Sequence, residues 1–176
     1  MNLPNKLTMA RIIAVPIFVI LYMKQLYLAA FIVFILASFT DMLDGKIARK
    51  YNLITNFGKI MDPLADKILV YSAFCLMIGD GTVPAWMLII ILLREFAVSG
   101  MRTVAAANGI VIAAGMSGKI KTVLQMILAA WAFLSLFLPL PAFILPILIA
   151  AAAVMTAWSG ILYFIRLKDS LFDKDL

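Results

Sequence analysis

Residues 41–66 read Asp41-Met42-Leu43-Asp44-Gly45-Lys46-Ile47-Ala48-Arg49, then eight residues, then Gly58-Lys59-Ile60-Met61-Asp62-Pro63-Leu64-Ala65-Asp66. Apolar runs of about 26–45 and 58–79 meet in this charged stretch, and that placement decides the fold. Asp41 and Asp44 are three apart and Asp62 and Asp66 four apart, so each pair falls on one face of a helix. The first run ends with its pair and the second begins with its own. At about 1.5 Å of rise per residue, Asp66 lies on the order of 12 Å beyond Gly58. Two helices joined by a short loop therefore carry four carboxylates within one half of a bilayer.

Outward from this stretch the chain is apolar throughout. Of its 176 residues, 65% are hydrophobic and 14% charged, with one cysteine and no histidine. A soluble domain is nearer half apolar and a quarter charged. These figures exclude a soluble globular domain, a disordered chain, a disulfide scaffold and any site built on imidazole. Apolar runs between breakers predict six membrane-spanning helices, at about 8–23, 26–45, 58–79, 84–108, 118–138 and 141–167. With no linker or internal repeat between them, residues 1–176 read as a single all-α integral membrane domain. If the N-terminus is inside, the inner segments hold Lys6, Arg11, Lys46, Arg49, Lys50, Lys59, Lys119, Lys121, Arg166, Lys168 and Lys174, and the outer loops hold only Lys24. That bias predicts a multi-pass protein of the cell membrane with both termini and the carboxylates cytoplasmic. The basic excess thus reads as an orientation signal, and no nucleic-acid partner is expected. The N-terminal segment lacks a small-residue cleavage site and reads as a retained first helix.

Four carboxylates in one desolvated site would repel and lose stability, a conflict that divalent cations resolve. All-oxygen ligation suits Mg²⁺, Mn²⁺ or Ca²⁺ rather than zinc or copper. Four carboxylates can bridge two such ions, an arrangement suited to phosphoryl chemistry, and one can double as a base for an attacking hydroxyl. Gly45 and Ala48 leave the helix end without bulk, so that a flat ligand can approach. Gly58 permits a tight start to the third helix, and Pro63 suggests that this helix is only beginning near Asp62. The competing reading is a set of surface carboxylates neutralised by Lys46, Arg49, Lys59 and Lys67.

Together these residues spell Asp-x2-Asp-Gly-x2-Ala-Arg-x8-Gly-x3-Asp-x3-Asp, which resembles the complete signature of the CDP-alcohol phosphotransferases. The opening Pro4-Asn5-Lys6-Leu7-Thr8-Met9-Ala10-Arg11 resembles that of the family's bacterial phosphatidylglycerophosphate synthase subgroup. So do Arg94-Glu95-Phe96-Ala97-Val98-Ser99-Gly100-Met101-Arg102 and Gly118-Lys119-Ile120-Lys121-Thr122-Val123-Leu124-Gln125. The sixth span matches only in hydrophobicity. The resemblance implies the family's six-helix fold, a homodimer, a dinuclear Mg²⁺ or Mn²⁺ site, and transfer of a phosphatidyl group from CDP-diacylglycerol to an alcohol with release of CMP. Carried over by residue, Asp41, Asp44 and Asp62 would be metal ligands, and Asp66 both a ligand and the general base. Gly45 and Ala48 would floor the cytidine, Arg49 would face phosphate or carboxylate charge, and Gly58 would belong to the same donor site.

The acceptor is a separate inference. Glu95, Ser99 and Arg102 form a polar stripe on the fourth span, with Arg94 deeper in it. Lys119 and Lys121 sit where the fifth helix starts, with Ser117 as a possible cap. Arg94, Ser99, Arg102, Lys119 and Lys121 together suggest an acceptor that carries its own phosphate, and glycerol 3-phosphate fits. The bland alternative is a Glu95–Arg102 pair stapling the bundle, with the lysines as orientation signals. Asn5 and Thr8 are candidates for contact with the donor pyrophosphate, or Thr8 for a simple cap. Trp86, Trp131, Trp158 and the tyrosines read as interface anchors or packing. Two rivals stay open: the same chemistry with another acceptor alcohol such as inositol phosphate, and a divalent-cation transporter that uses the carboxylates as its transport site.

Overall fold

The computed structural model describes residues 3–50, 56–107, 109 and 115–172, with the side chains of 3, 4, 41–50, 56, 57, 59, 60, 63, 66 and 167–172 outside that description. Among the described residues there are six helices and no strands: α1 (Leu3–Met23), α2 (Tyr27–Lys50), α3 (Asn56–Gly79), α4 (Ala85–Ala107), α5 (Met116–Ser135) and α6 (Ile144–Phe172). The α1–α2 turn is tight. Gln25 takes the left-handed conformation at φ 59°, and the Gln25 and Leu26 N–H groups close on the carbonyls of Tyr22 and Leu21 at 2.8 and 3.0 Å. These bonds satisfy carbonyls that the helix end would leave open. Gly81, at φ 78°, makes the corresponding turn after α3, where an L side chain would be strained.

Helix boundaries depart from the apolar runs mainly at the charged ends. α2 continues through Asp41–Lys50 and does not stop at Gly45. Lys46, Ala48, Arg49 and Lys50 are good helix formers, and a single interior glycine costs only about 1 kcal/mol. α3 begins at Asn56, so Pro63 is its eighth residue and lies beyond the first turn where it was expected. Having no N–H, it gives no helical hydrogen bond to the carbonyl of Lys59. α5 ends at Ser135, three residues short of the apolar run, because Pro139 disfavours helical geometry just ahead of it. The last carbonyls are closed by a turn, Leu136 to Phe133 at 3.1 Å and Leu138 to Leu134 at 2.9 Å.

Two described stretches, Asn5–Met23 and Ile144–Arg166, are long and apolar enough by themselves to cross a bilayer. Within the described residues, α2 and α3 contribute the shorter apolar stretches Tyr27–Thr40 and Lys67–Gly79.

The chain forms two compact units. The first comprises Met1–Thr82 with Ala132–Leu140, and the second Val83–Trp131 with Pro141–Leu176. In the first, α1 packs on α2 and α3 around an aromatic core. Phe133, fully buried, sits with ring centroids 5.4–5.9 Å from Phe18, Tyr22, Phe31 and Phe34. In the second, α4 packs on α6. Both units are built inside out relative to a soluble protein. α1 buries Asn5, Thr8 and Arg11 while Ile13 and Ile20 stay 57% and 56% exposed. α4 buries Arg94 and Glu95 while Leu93 and Phe96 stay 69% and 70% exposed. Apolar exteriors around buried polar groups are what a lipid solvent selects.

Candidate active site

The carboxylate motif lies in the first unit. In the unbroken register of α2, Asp41, Asp44, Gly45 and Ala48 fall at i, i+3, i+4 and i+7 of one stripe, and on α3 Gly58, Asp62 and Asp66 follow at intervals of four. The side chains of Asp41, Asp44, Ala48, Arg49 and Asp66, and the surroundings of Gly45, lie outside the described residues. Asp62 is described, and it is half-buried. Its Oδ1 accepts a hydrogen bond from the Thr8 hydroxyl, a residue of α1 that is completely buried. Asn5, one turn earlier on the same helix, is also buried, as is Gly58 one turn before Asp62. The two α1 residues expected near the donor are thus placed on the helix that touches the motif. Arg11 was not expected to matter beyond orientation. It is 1% exposed, and its Nε donates to the Ala37 carbonyl of α2 at 3.2 Å, tying α1 to α2 just ahead of Asp41.

The second unit contains a cavity of about 430 Å³ lined by Arg94, Glu95, Arg102, Lys119, Lys121 and Tyr163, among others. Four of the five expected acceptor residues are on its wall. Ser99 is not; it is half-buried on α4, and its carbonyl accepts from the Thr103 hydroxyl at 3.0 Å. Buried Arg94 reaches Glu95 Oε1 with Nη1 at 2.9 Å and the Ser159 hydroxyl with Nη2 at 2.7 Å. Lys121, also buried, donates to the same Oε1. Glu95 therefore pairs with Arg94 and Lys121. Arg102, its partner only in the bland alternative, donates from Nη2 to the Tyr163 hydroxyl at 2.8 Å. Ser117 lies inside the first turn of α5 rather than capping it. The Gly115 carbonyl takes the Gly118 and Lys119 N–H groups at 3.1 and 3.4 Å.

Tyr163 is a residue the sequence reading assigned to anchoring or packing. The signal that marks it is a stripe on the otherwise apolar α6. Thr156, Ser159, Gly160 and Tyr163 fall at i, i+3, i+4 and i+7 and receive, in order, Gln125 (2.9 Å), the Arg94 guanidinium, the Arg94 stem and Arg102. At Gly160 and Gly118 a Cβ would meet Arg94 atoms at 3.2 and 3.4 Å, so glycine there leaves room for the arginine.

Chemically, the cavity sets four cations against one carboxylate among the described residues. A lone carboxylate cannot neutralise them, and the surplus suits a small polyanion. The Nε atoms of Arg94 and Arg102 are buried and have no hydrogen-bond partner among the described residues.

Comparison with known proteins agrees with this chemistry. Residues 1–160 match the family model for CDP-alcohol phosphatidyltransferase. A CDP-diacylglycerol--glycerol-3-phosphate 3-phosphatidyltransferase of Bacillus subtilis is 50% identical over 141 residues, covering 72% of this chain and 73% of the relative. Proteins of the same name from Rickettsia typhi and Haemophilus influenzae are 44% and 37% identical, covering 71% and 98% of this chain and 72% and 96% of the relatives. With 160 residues under the family model and a relative at half identity over most of its length, the chain belongs to the CDP-alcohol phosphatidyltransferase family.

Proposed function

We propose that the chain transfers the phosphatidyl group of CDP-diacylglycerol to glycerol 3-phosphate, giving phosphatidylglycerol phosphate and CMP. The observation that carries this choice of acceptor is the cavity whose wall, among the described residues, holds Arg94, Arg102, Lys119 and Lys121 against Glu95. A phosphate dianion matches that surplus of charge. Serine, choline or ethanolamine brings no phosphate and would leave it unmatched. The names of the relatives, which state both substrates, support the same reading. Inositol phosphate satisfies the cavity's charge equally, and an acceptor panel separates the two.

Asp41, Asp44, Asp62 and Asp66 are the residues that would hold two divalent cations, Mg²⁺ or Mn²⁺. The donors are all oxygen, as these ions prefer, and Thr8 engages Oδ1 of Asp62. Bound there, the ions would supply neutralising charge to the diphosphate and to the departing CMP. Asp66 takes the proton of the acceptor 1-hydroxyl, whose oxygen attacks the β-phosphorus of the donor as the bond from that phosphorus to the CMP oxygen breaks. Gly45 and Ala48 leave room for the cytidine, Arg49 balances nearby negative charge, and Gly58, Asn5 and Thr8 complete the donor side.

The same reading makes the chain a single multi-pass domain of the cell membrane, six helices crossing, with both termini and the site cytoplasmic. It is supported by the inside-out burial of α1 and α4 and by the concentration of Lys and Arg in alternate connections. The homodimer belongs to the proposal through the family resemblance. Detergent-purified protein given CDP-diacylglycerol, Mg²⁺ and each acceptor in turn tests it. CMP release that requires glycerol 3-phosphate is the expected outcome, and equal release with unphosphorylated alcohols contradicts it.

A further inference from the structure

Tyr163 stands at the centre of the cationic cavity's polar contacts. It is 5% exposed, and its hydroxyl accepts from Arg102 Nη2 at 2.8 Å and from the Gly115 N–H at 3.1 Å. The Cζ atoms of Arg94 and Arg102 each lie 5.3 Å from its ring centroid, within cation–π range. These arginines are eight residues apart on α4, about 12 Å along the axis, so one ring bridges two guanidiniums that share no other partner among the described residues. Through Gly115 the same side chain holds the residue just ahead of α5, the helix that delivers Lys119 and Lys121.

We infer that Tyr163 is a positioning residue for the acceptor phosphate, one that sets the aim of Arg94 and Arg102 and thereby the preference for a phosphorylated acceptor. The inference rests on the acceptor reading above. A guanidinium discriminates by geometry because its donors form a rigid planar fork, and a fork that can swing loses bidentate contact with phosphate. Tyr163 fixes that fork twice. The ring attracts both cations electrostatically, and the hydroxyl occupies one Nη of Arg102, leaving the buried Nε without a protein partner. The contribution of Tyr163 belongs in acceptor binding and not in the chemical step.

The test is a steady-state comparison of the full chain in detergent with Tyr163→Phe and Tyr163→Leu, varying glycerol 3-phosphate and CDP-diacylglycerol separately. Tyr163→Phe keeps the ring and loses the hydroxyl's bonds to Arg102 and Gly115. It is expected to raise KM for glycerol 3-phosphate about 10-fold, the scale of one hydrogen bond to a charged group, while kcat and KM for CDP-diacylglycerol move less than about twofold. Tyr163→Leu removes the ring as well and is expected to raise the acceptor KM further. Inhibition by inorganic phosphate should weaken in parallel, which reports the anion site without turnover. A Tyr163→Phe enzyme that elutes and melts as wild type but keeps its acceptor KM, or raises both KM values equally, overturns the positioning role and leaves the acceptor reading standing. If the wild type itself neither uses glycerol 3-phosphate nor is inhibited by inorganic phosphate, the acceptor reading falls and the positioning role falls with it.

Discussion

Thr8, in the second turn of α1, donates its hydroxyl to Asp62 of α3, 54 residues later in the chain. The bond joins the N-terminal helix to the carboxylate motif and fixes one oxygen of a proposed metal ligand. Groups that orient ligands in this way typically change metal affinity by about 10–100-fold when removed. Thr8→Val keeps the shape and loses the bond. It should raise the Mg²⁺ concentration for half-maximal CMP release by about tenfold or more, and Thr8→Ser should restore it. An unchanged Mg²⁺ titration in Thr8→Val would show that the contact does not serve the metal site.

Arg102 has a simpler part to play. With one Nη on Tyr163 and its residue on the cavity wall, it is the arginine that the proposed acceptor reading sets against phosphate. Arg102→Ala should raise KM for glycerol 3-phosphate far more than KM for CDP-diacylglycerol, by about 10–100-fold if a charge-assisted bond of roughly 1.5–3 kcal/mol is lost. Equal effects on both substrates would remove Arg102 from the acceptor site.

Glu95 is the internal counter-ion of that cavity, paired with Arg94 at 2.9 Å and with Lys121, all three side chains being about nine-tenths buried. Glu95→Gln leaves two buried cations without their carboxylate. The expected cost is about 3–5 kcal/mol of stability, seen as a lower melting temperature in detergent. Inorganic phosphate at saturating concentration should recover part of the loss by replacing the missing charge. A Glu95→Gln protein that melts as wild type would mean that the pairing carries no net stability.

Phe133 anchors the aromatic core of the first unit, fully buried against four neighbouring rings. Phe133→Ala should destabilise by about 3–5 kcal/mol through lost contact and the cavity left behind. Phe133→Leu should cost less. Thermal melts of the two variants against wild type measure the difference.

Much of this was legible in the sequence because the patterns were local. Apolar runs between Pro and Gly breakers marked six helices, and the spacing of Asp41, Asp44, Asp62 and Asp66 placed them on stripes of two successive helices. The charged helix ends were read short, since apolarity stops at Asp41 whereas helix propensity does not. Contacts made across the fold were not legible. Nothing in Thr8 alone announces Asp62, and Glu95 and Arg102, seven apart on one helix, suggested a pair that packing against Tyr163 replaced. Tyr163 itself was obscured by the apolarity of α6, although the stripe of Thr156, Ser159 and Gly160 leading to it is a period-3.6 polar pattern of the kind that marked α4.

In the proposed reaction Asp66 is the residue on which the chemistry turns, as ligand and as base. The most direct measurement is single-turnover CMP release by the purified chain with CDP-diacylglycerol, glycerol 3-phosphate and Mg²⁺, compared with Asp66→Asn and with each component omitted. The expected result is release that needs the acceptor and the metal together and falls by a factor of about 10²–10⁴ in Asp66→Asn. CMP release that persists without glycerol 3-phosphate, or substantial turnover by Asp66→Asn, would contradict it.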